Sequence, residues 1–480
     1  MIVDKVYFDG KEHKLICDSY VDSGDNTFTV IIGKNGSGKS KLLHKISDTL
    51  TNAYNNKLKL SISTAKKELI FSNGDKKFSI YSSTKKRQKK IFKGGKPVSN
   101  NNLFKKCICV STSPFDKFPF FDVKGYDVKG FYQYIGLRTS KNTFSKDELL
   151  SFLAQATFNQ ENKENINQVL SMLGYKPTLD IIFKKTSRNI PRRLSSLVSN
   201  KDDFEMFMKH SSSESNYQMR NILYHSLLKG DQRDILHSDI ELSTKNLNDS
   251  YVSYLKTINS LPHSYSLGEY IEENKSKFYI ESLNSRLLKV SNVILEKEDG
   301  SGCIDLTEAS SGEQCMLLIF LCISAVIENN CVICIDEPEI SLHPEWQNEF
   351  MPLLMKLFYK FKGCHFIIAT HSPQMISKLT NDNSFILVAD DNSVLSVNEY
   401  KNKSADYQLA TLFKSPGFQN EYLNRICVGI LSNLSSNKKI TDSEKENIHL
   451  LNKIKCDLSE DDSVLMLINI INKAMEVYND

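Results

Sequence analysis

Apolar and polar positions change rhythm several times along the chain, and each rhythm predicts a different kind of element. VYF, KLIC and FTVII are apolar runs of strand length, and the last one delivers the chain into a glycine-rich turn. SKLLHKISDTL after the turn carries apolar residues at helical spacing, with Ser40 near the helix start. Between 59 and 81 the alternation returns to strand period in LKLSIS, ELIF and KFSIY, and CICVSTS (107–113) reads as a buried strand before an aromatic loop, PFDKFPFFD. From about 145 to 285 the texture becomes polar-rich and helical, with few strand signals. A hairpin follows at 286–306, its turn marked by Asp299-Gly300. Then come SSGEQ opening an apolar helix, the strand CVICI, DEPEISLHP, a helix, the strand CHFIIATHSP, the short strands FILVA and VLSVNEY, and a helical tail. The pattern predicts an α/β protein whose two halves, 1–140 and 286–400, are split by a mostly helical insertion over 141–285 and followed by a helical tail over 401–480.

Composition narrows this only slightly. At 480 residues, 40% hydrophobic and 25% charged, the chain is ordinary globular material. Eleven cysteines lie mostly inside apolar runs, which reads as reduced packing rather than a disulfide framework. Cys331 and Cys334 have redox or zinc spacing, but they sit within one apolar strand and no second pair matches them. The start, MIVDKVYFDGKEHK, is charged from its fourth residue and does not read as a signal peptide. The longest apolar run, 315–327, is well short of the roughly 20 residues a membrane span needs. A soluble, cytoplasmic protein without membrane contact is expected.

Net charge is only +4, yet its distribution is lopsided. Residues 51–106 hold fifteen Lys or Arg against two acids, Glu68 and Asp75. Lys85, Lys86, Arg87, Lys89 and Lys90 concentrate that charge. Two readings stay open for them: a solvated loop, or a nucleic-acid contact that neutralises phosphates. Phe92 is the sole aromatic between 85 and 96, so base stacking has no support there.

Candidate chemistry begins at the glycine-rich turn. Gly33-Lys34-Asn35-Gly36-Ser37-Gly38-Lys39-Ser40 matches the phosphate-binding P-loop in full. Glycines let backbone N–H groups close around phosphate oxygens, and the following helix adds its positive N-terminal dipole. Lys39 is expected on the β- and γ-phosphates of ATP, and Ser40 on Mg²⁺. Much later, an apolar strand ends in Asp336-Glu337, which predicts Asp336 beside the same Mg²⁺ and Glu337 as the group that activates water. Ser310-Ser311-Gly312-Glu313-Gln314 opens a helix and offers a second set of donors for a γ-phosphate. His371 ends a predicted parallel strand, where open α/β sheets place ligand contacts. His13 and His225 read as structural.

GKNGSGKS, SSGEQ, CVICIDEPE, SLHP and IIATHSP, in this order, resemble the ABC-type ATPase heads of the SMC, Rad50, RecF and OLD group. The resemblance covers roughly residues 1–113 and 286–390. It implies a head with a mixed sheet and an antiparallel β-subdomain, dimerising (or forming a larger homo-oligomer) head to tail around ATP. In that sandwich Gly33 to Ser40, Asp336 and Glu337 of one chain face Ser311, Gly312 and Glu313 of the other. Ser341 to His343 form the crossing loop, and His371 senses the γ-phosphate. Two departures stand out: Ser111-Thr112-Ser113 occupies the place of the usual Q-loop glutamine, with Gln133 a poor substitute, and Glu313 replaces a glycine common in transporters.

The insertion is too short for long coiled coils, and IDEPEISLHP with ATHSP is most similar to ATPases of bacterial anti-phage systems, the Septu, retron-associated and PARIS types. That likeness implies a sensor or regulator controlling a partner nuclease encoded nearby. No nuclease signature is visible in the chain itself; Asp390-Asp391 reads as a turn rather than part of an acidic catalytic set. A DNA repair or maintenance ATPase of RecF type is the alternative. The large insertion and the absent glutamine argue against a transporter engine.

Overall fold

The computed structural model describes residues 1–54, 65–83, 89–98, 103, 105–113, 116–119, 130–136, 146–185, 264–267, 276, 279–280, 282–283, 288–340, 342–379, 383–437 and 440–479. They form two compact units, Met1–Phe144 with Ile327–Asp480, and Ser145–Val326.

The first unit is built on two sheets. Strands β1 (Ile2–Phe8), β2 (Lys11–Lys14), β4 (Ala65–Asn73), β5 (Lys76–Ser83), β6 (Lys89–Lys93) and β7 (Lys96–Val98) make an antiparallel sheet in the order β2-β1-β4-β5-β6-β7. The other sheet takes β3 (Thr27–Ile32), β8 (Cys107–Ser111), β9 (Tyr132–Gly136), β14 (Val332–Asp336), β15 (His365–Ala369), β16 (Ser384–Val388) and β17 (Ser393–Ser396), in the order β17-β16-β3-β15-β14-β8-β9. Its neighbours run parallel except β16 and β17. Every residue of β3, β8, β14, β15 and β16 is buried. That is why these strands read as continuous apolar runs: a parallel sheet is covered on both faces.

Helix α1 (Lys39–Tyr54) joins the two sheets in one core. Its Leu42, Leu43, Ile46, Leu50 and Ala53 pack with Ile31, Val332 and Ile367 of the parallel sheet and with Val6, Leu69 and Phe71 of the antiparallel one. Truncating a side chain so enclosed typically costs about 2–5 kcal/mol, so the helix that follows the glycine turn is firmly seated. A buried histidine ties the sheets as well. His365 Nδ1 accepts the Val3 N–H at 3.0 Å. Its Nε2 lies 2.9 Å from Thr29 Oγ1, whose hydroxyl already donates to the Leu15 carbonyl, so Nε2 carries the proton. Burial pushes the His365 imidazole down to about 3, which keeps it neutral in this role.

The tail is helical, as expected: α7 (Ala405–Thr411), α8 (Glu421–Asn437), α9 (Asp442–Ile454) and α10 (Ser463–Asn479) share a small core of their own around Leu423, Ile430, Leu451, Val464 and Ile468. Two further helices, α5 (Pro344–Leu357) and α6 (Pro373–Ser377), follow β14 and β15.

The second unit holds α2 (Lys146–Ala156), α3 (Gln160–Met172), β10 (Tyr175–Lys185), β11 (Ser264–Ser266), β12 (Leu288–Lys297), β13 (Cys303–Asp305) and α4 (Ser311–Ser324). It corrects the sequence reading in two places. The stretch expected to be helical contains an eleven-residue strand, β10. And 286–326 does not separate from the insertion: β12 pairs with β10 from Tyr175↔Lys297 to Lys185↔Leu288, and α4 packs against α2 and α3. The hairpin of β12 and β13 has its turn at Asp299-Gly300, as the pattern predicts. All eleven cysteines are free. Among the described residues no helix is long and apolar enough to cross a membrane.

Candidate active site

Parallel strands align the candidate residues by register. Asp336 is level with Ser111 on one side and Ala369 on the other, and Ala369 is level with Ile31. The C-terminal ends of β3, β8, β14, β15 and β16 therefore meet at one edge, carrying the glycine turn, Thr112, Asp336-Glu337, His371 and Asp390.

At the end of β3 the chain turns through Gly33, Gly36 and Gly38, all with positive φ, and enters α1 at Lys39. A Cβ on Gly33 would come within 2.7 Å of Ser37 Oγ, which would have to move, and the φ of +156 there also favours glycine. Lys34, Asn35 and Gly36 are exposed at the rim. Lys39 is only 4% exposed, and its ammonium donates to the carbonyls of Gly33 at 2.9 Å and Lys34 at 3.3 Å. Burial pushes its pKa down, while Glu337 and Asp390 lead the carboxylates that pull it back up. Ser37 Oγ is buried without a hydrogen-bond partner among the described residues. An orphan hydroxyl, a buried cation and a helix N-terminus together fit a bound phosphate chain.

Asp336 is 2% exposed, and its Oδ1 accepts the Ser40 hydroxyl at 3.0 Å. Burial pushes its carboxyl up to about 7; Ser40 opposes this, and Glu337, Asp116 and Glu339 add to it. A divalent cation between Ser40 and Asp336 would offset that penalty, so the donor set fits Mg²⁺. Among the described residues no three His, Cys, Asp or Glu side chains are arranged to hold a metal ion. One carboxylate and one hydroxyl, completed by water and substrate phosphates, is how Mg²⁺ is commonly bound at phosphoryl-transfer sites.

The same burial predicts a pH effect. The folded value lies above the unfolded one, near 3.9. The folded state therefore holds the extra proton, and stability falls as pH rises from about 4 to about 7. Asp336→Asn escapes this loss because it does not ionise. Without nucleotide or metal it should be more stable than the parent at pH 8, by an amount on the order of a few kcal/mol. The difference should shrink steadily toward pH 4 in thermal unfolding. A difference that is constant with pH would rule out the buried carboxylate as its source.

Glu337 has φ +48, a left-handed conformation that L residues enter at a cost of about 1–3 kcal/mol. Two backbone bonds hold it there: its N–H donates to the Ala369 carbonyl, and its own carbonyl accepts the Thr112 hydroxyl, both at 2.9 Å. The carboxylate then lies 3.6 Å from His371 Nε2. Burial lowers the His371 pKa, with Lys39 adding to the effect and Glu337 opposing it. The imidazole is thus neutral at neutral pH, and the contact is not a charge pair. Thr112 stands in the place of the usual glutamine; Gln133 lies on β9, level with Ile108.

Three of these neighbours escaped the sequence reading. Besides Thr112, Glu339 accepts the His371 N–H and joins the segment after β14 to the end of β15. Burial raises its pKa. Asp390, read only as a turn residue, accepts the Lys34 N–H at 2.9 Å. Of the crossing loop, Ser341 lies outside the described residues, Leu342 is buried, and His343 is an exposed N-cap of α5.

In the second unit, SSGEQ does open a helix. Ser310 is the N-cap of α4, and Glu313 closes a capping box by reaching back to the Ser310 N–H and hydroxyl. Ser311 is exposed and Gly312 is buried. Glu313, expected on nucleotide, is thus engaged in its own helix cap. Its spacing of three from Ser310 was the available signal.

The basic segment divides. Lys85, Lys86 and Arg87 lie outside the described residues, and Lys90 is half-buried on β6. Lys89 is a correction: it is buried, with its ammonium on Asp48 at 2.5 Å and Thr49 at 3.2 Å. A cation desolvated and paired on α1 is not presented to a polyanion.

A family model described as an AAA ATPase domain matches residues 13–376. A retron Ec83 probable ATPase from Escherichia coli is 26% identical over 164 residues, 30% of this chain and 29% of that protein. The chain therefore spans less than a third of that curated relative's length. Among solved structures, an SMC head bound to the C-winged helix domain of ScpA aligns over 83% of this chain and 99% of its own, at 12% identity and a TM-score of 0.32. An SMC head domain from Thermotoga maritima aligns over 82% and 99%, at 12% identity and a TM-score of 0.32.

Proposed function

The chain belongs to the AAA ATPase domain family, and from that premise we propose that it hydrolyses ATP as the sensing and regulatory subunit of a bacterial anti-phage defence system. The observation that carries the ATPase reading is the meeting of Lys39, Ser40, Asp336, Glu337 and His371 at one sheet edge. In this reading Gly33 to Lys39 cradle the phosphates, with the ammonium of Lys39 turning from loop carbonyls to phosphate oxygens. Ser40 and Asp336 would hold Mg²⁺, which when bound would supply charge neutralisation to the phosphate chain. Glu337 accepts a proton from the attacking water. The strained backbone fixes where that carboxylate stands before substrate arrives. Neutral His371 faces Glu337 and can donate to the γ-phosphate or the water.

The regulatory part rests on the retron ATPase likeness. ATP closes two heads, Ser311 and Gly312 of one completing the site of the other, and the closed dimer restrains a nuclease encoded beside it. Co-purification tests this directly: a neighbouring nuclease should come down with the tagged chain, and Lys39→Ala should change its restraint or the triggered response. Full protection of cells by this chain alone would rule the partner out. The RecF-type alternative, action on DNA itself, would be favoured by replication or recombination genes beside it.

A further inference from the structure

Asp390 sits on the phosphate-binding loop without belonging to it. Val388 pairs with Ile32, and the Ala389 N–H donates to the Ile32 carbonyl at 2.8 Å, so the sheet ladder runs to the last residue before the glycine turn. The next side chain, Asp390, continues it by accepting the Lys34 N–H through Oδ2. The turn carrying it is itself pinned. Asp391 pairs with Lys414, and Asn392 donates to the Glu12 carbonyl at 2.6 Å.

One peptide unit connects this carboxylate to the buried lysine. The Lys34 N–H and the Gly33 carbonyl belong to the same planar trans peptide and point in opposite directions. Asp390 holds the N–H end at 2.9 Å, and the Lys39 ammonium takes the carbonyl end at 2.9 Å. An anion at one end and a cation at the other favour a single orientation of that peptide. Gly33 leaves no slack, since a Cβ there would lie 3.2 Å from both Ala389 Cβ and Asp390 Oδ2.

We propose that Asp390 is a positioning residue for ATP binding: it clamps the Gly33–Lys34 peptide so that the loop carbonyls hold Lys39 ready for the phosphates. The clamp acts through the peptide that holds Lys39, not through Glu337, Ser40 or Asp336. Its loss should weaken nucleotide binding and leave turnover at saturation nearly intact, the signature of binding shared by ground and transition states.

This rests on the P-loop being the nucleotide site, and the experiment separates the two claims. Equilibrium binding of a fluorescent ATP analogue to the full chain is measured for the parent, Lys39→Ala, Asp390→Ala and Asp390→Asn, with melting temperature and steady-state hydrolysis alongside. Loss of binding in Lys39→Ala reports on the site itself. Asp390→Ala should bind roughly tenfold more weakly, the usual worth of a charge-assisted hydrogen bond. Its kcat should change by less than about twofold. Asp390→Asn keeps an acceptor of the same length and should recover most of the affinity. If Asp390→Ala does not fold, Asp390→Ser substitutes, because its hydroxyl is one bond too short to reach. Parent-like affinity in the variant lacking the acceptor overturns the proposal, as does a loss confined to kcat or an Asn variant as weak as Ala.

Discussion

Glu337→Gln is expected to bind ATP as the parent does and to lose hydrolysis by about 10²–10⁴-fold, the range that a positioned general base contributes. The geometry makes the two effects separable. What holds residue 337 in its left-handed conformation is backbone: the N–H on the Ala369 carbonyl and the carbonyl accepting from Thr112. Glutamine keeps both bonds and nearly the same volume, so the edge of the sheet should stay as it is. Ser40 and Asp336 are not touched, and neither is the grip of Gly33 and Lys34 on Lys39. Only the capacity to take a proton from water disappears, because an amide oxygen is a far weaker base than a carboxylate. Phosphate release under saturating ATP measures the loss, and equilibrium binding supplies the control. Hydrolysis at the parent rate would remove Glu337 from the reaction and leave its strained backbone without that explanation.

How much of this was legible beforehand follows from the range of the interactions. The glycine turn, the apolar strands before it and before Asp336, and the order of the five motifs are local patterns with a physical cause, and strands buried on both faces announce themselves as runs. β10 was missed because lysines and a proline interrupt YKPTLDIIFKK, and its identity as a strand is settled by β12, more than a hundred residues away. Lys89 looked like one member of a basic cluster, since nothing in the sequence joins it to Asp48 on α1. Asp390 is the sharpest case. Its partner is a backbone N–H 356 residues away, and backbone partners leave no trace in residue identity. Glu313, by contrast, was readable: a serine three residues ahead of a glutamate at a helix start is a capping signal. The resemblance implies a ligand contact at that same position.

The sandwich itself can be tested with two broken chains. If each ATP lies between Lys39 of one chain and Ser311 of another, Lys39→Ala and Ser311→Arg each destroy every site in a homodimer. Lys39→Ala removes the buried ammonium that faces the loop carbonyls. Ser311→Arg adds a bulky cation at an exposed position beside the α4 cap, whose hydrogen bonds are made by Ser310 and Glu313 and so persist. Mixing the two variants changes the result, because the interface is isologous. In a mixed dimer one site collects both defects and the other collects none. With random exchange about half of the dimers are mixed, so about a quarter of all sites should be intact. Hydrolysis should rise from near zero toward that fraction, less if both sites must close together, and ATP-dependent dimerisation should recover with it. If proven subunit exchange restores neither readout, each chain completes its nucleotide site alone. SSGEQ would then be a helix start and nothing more.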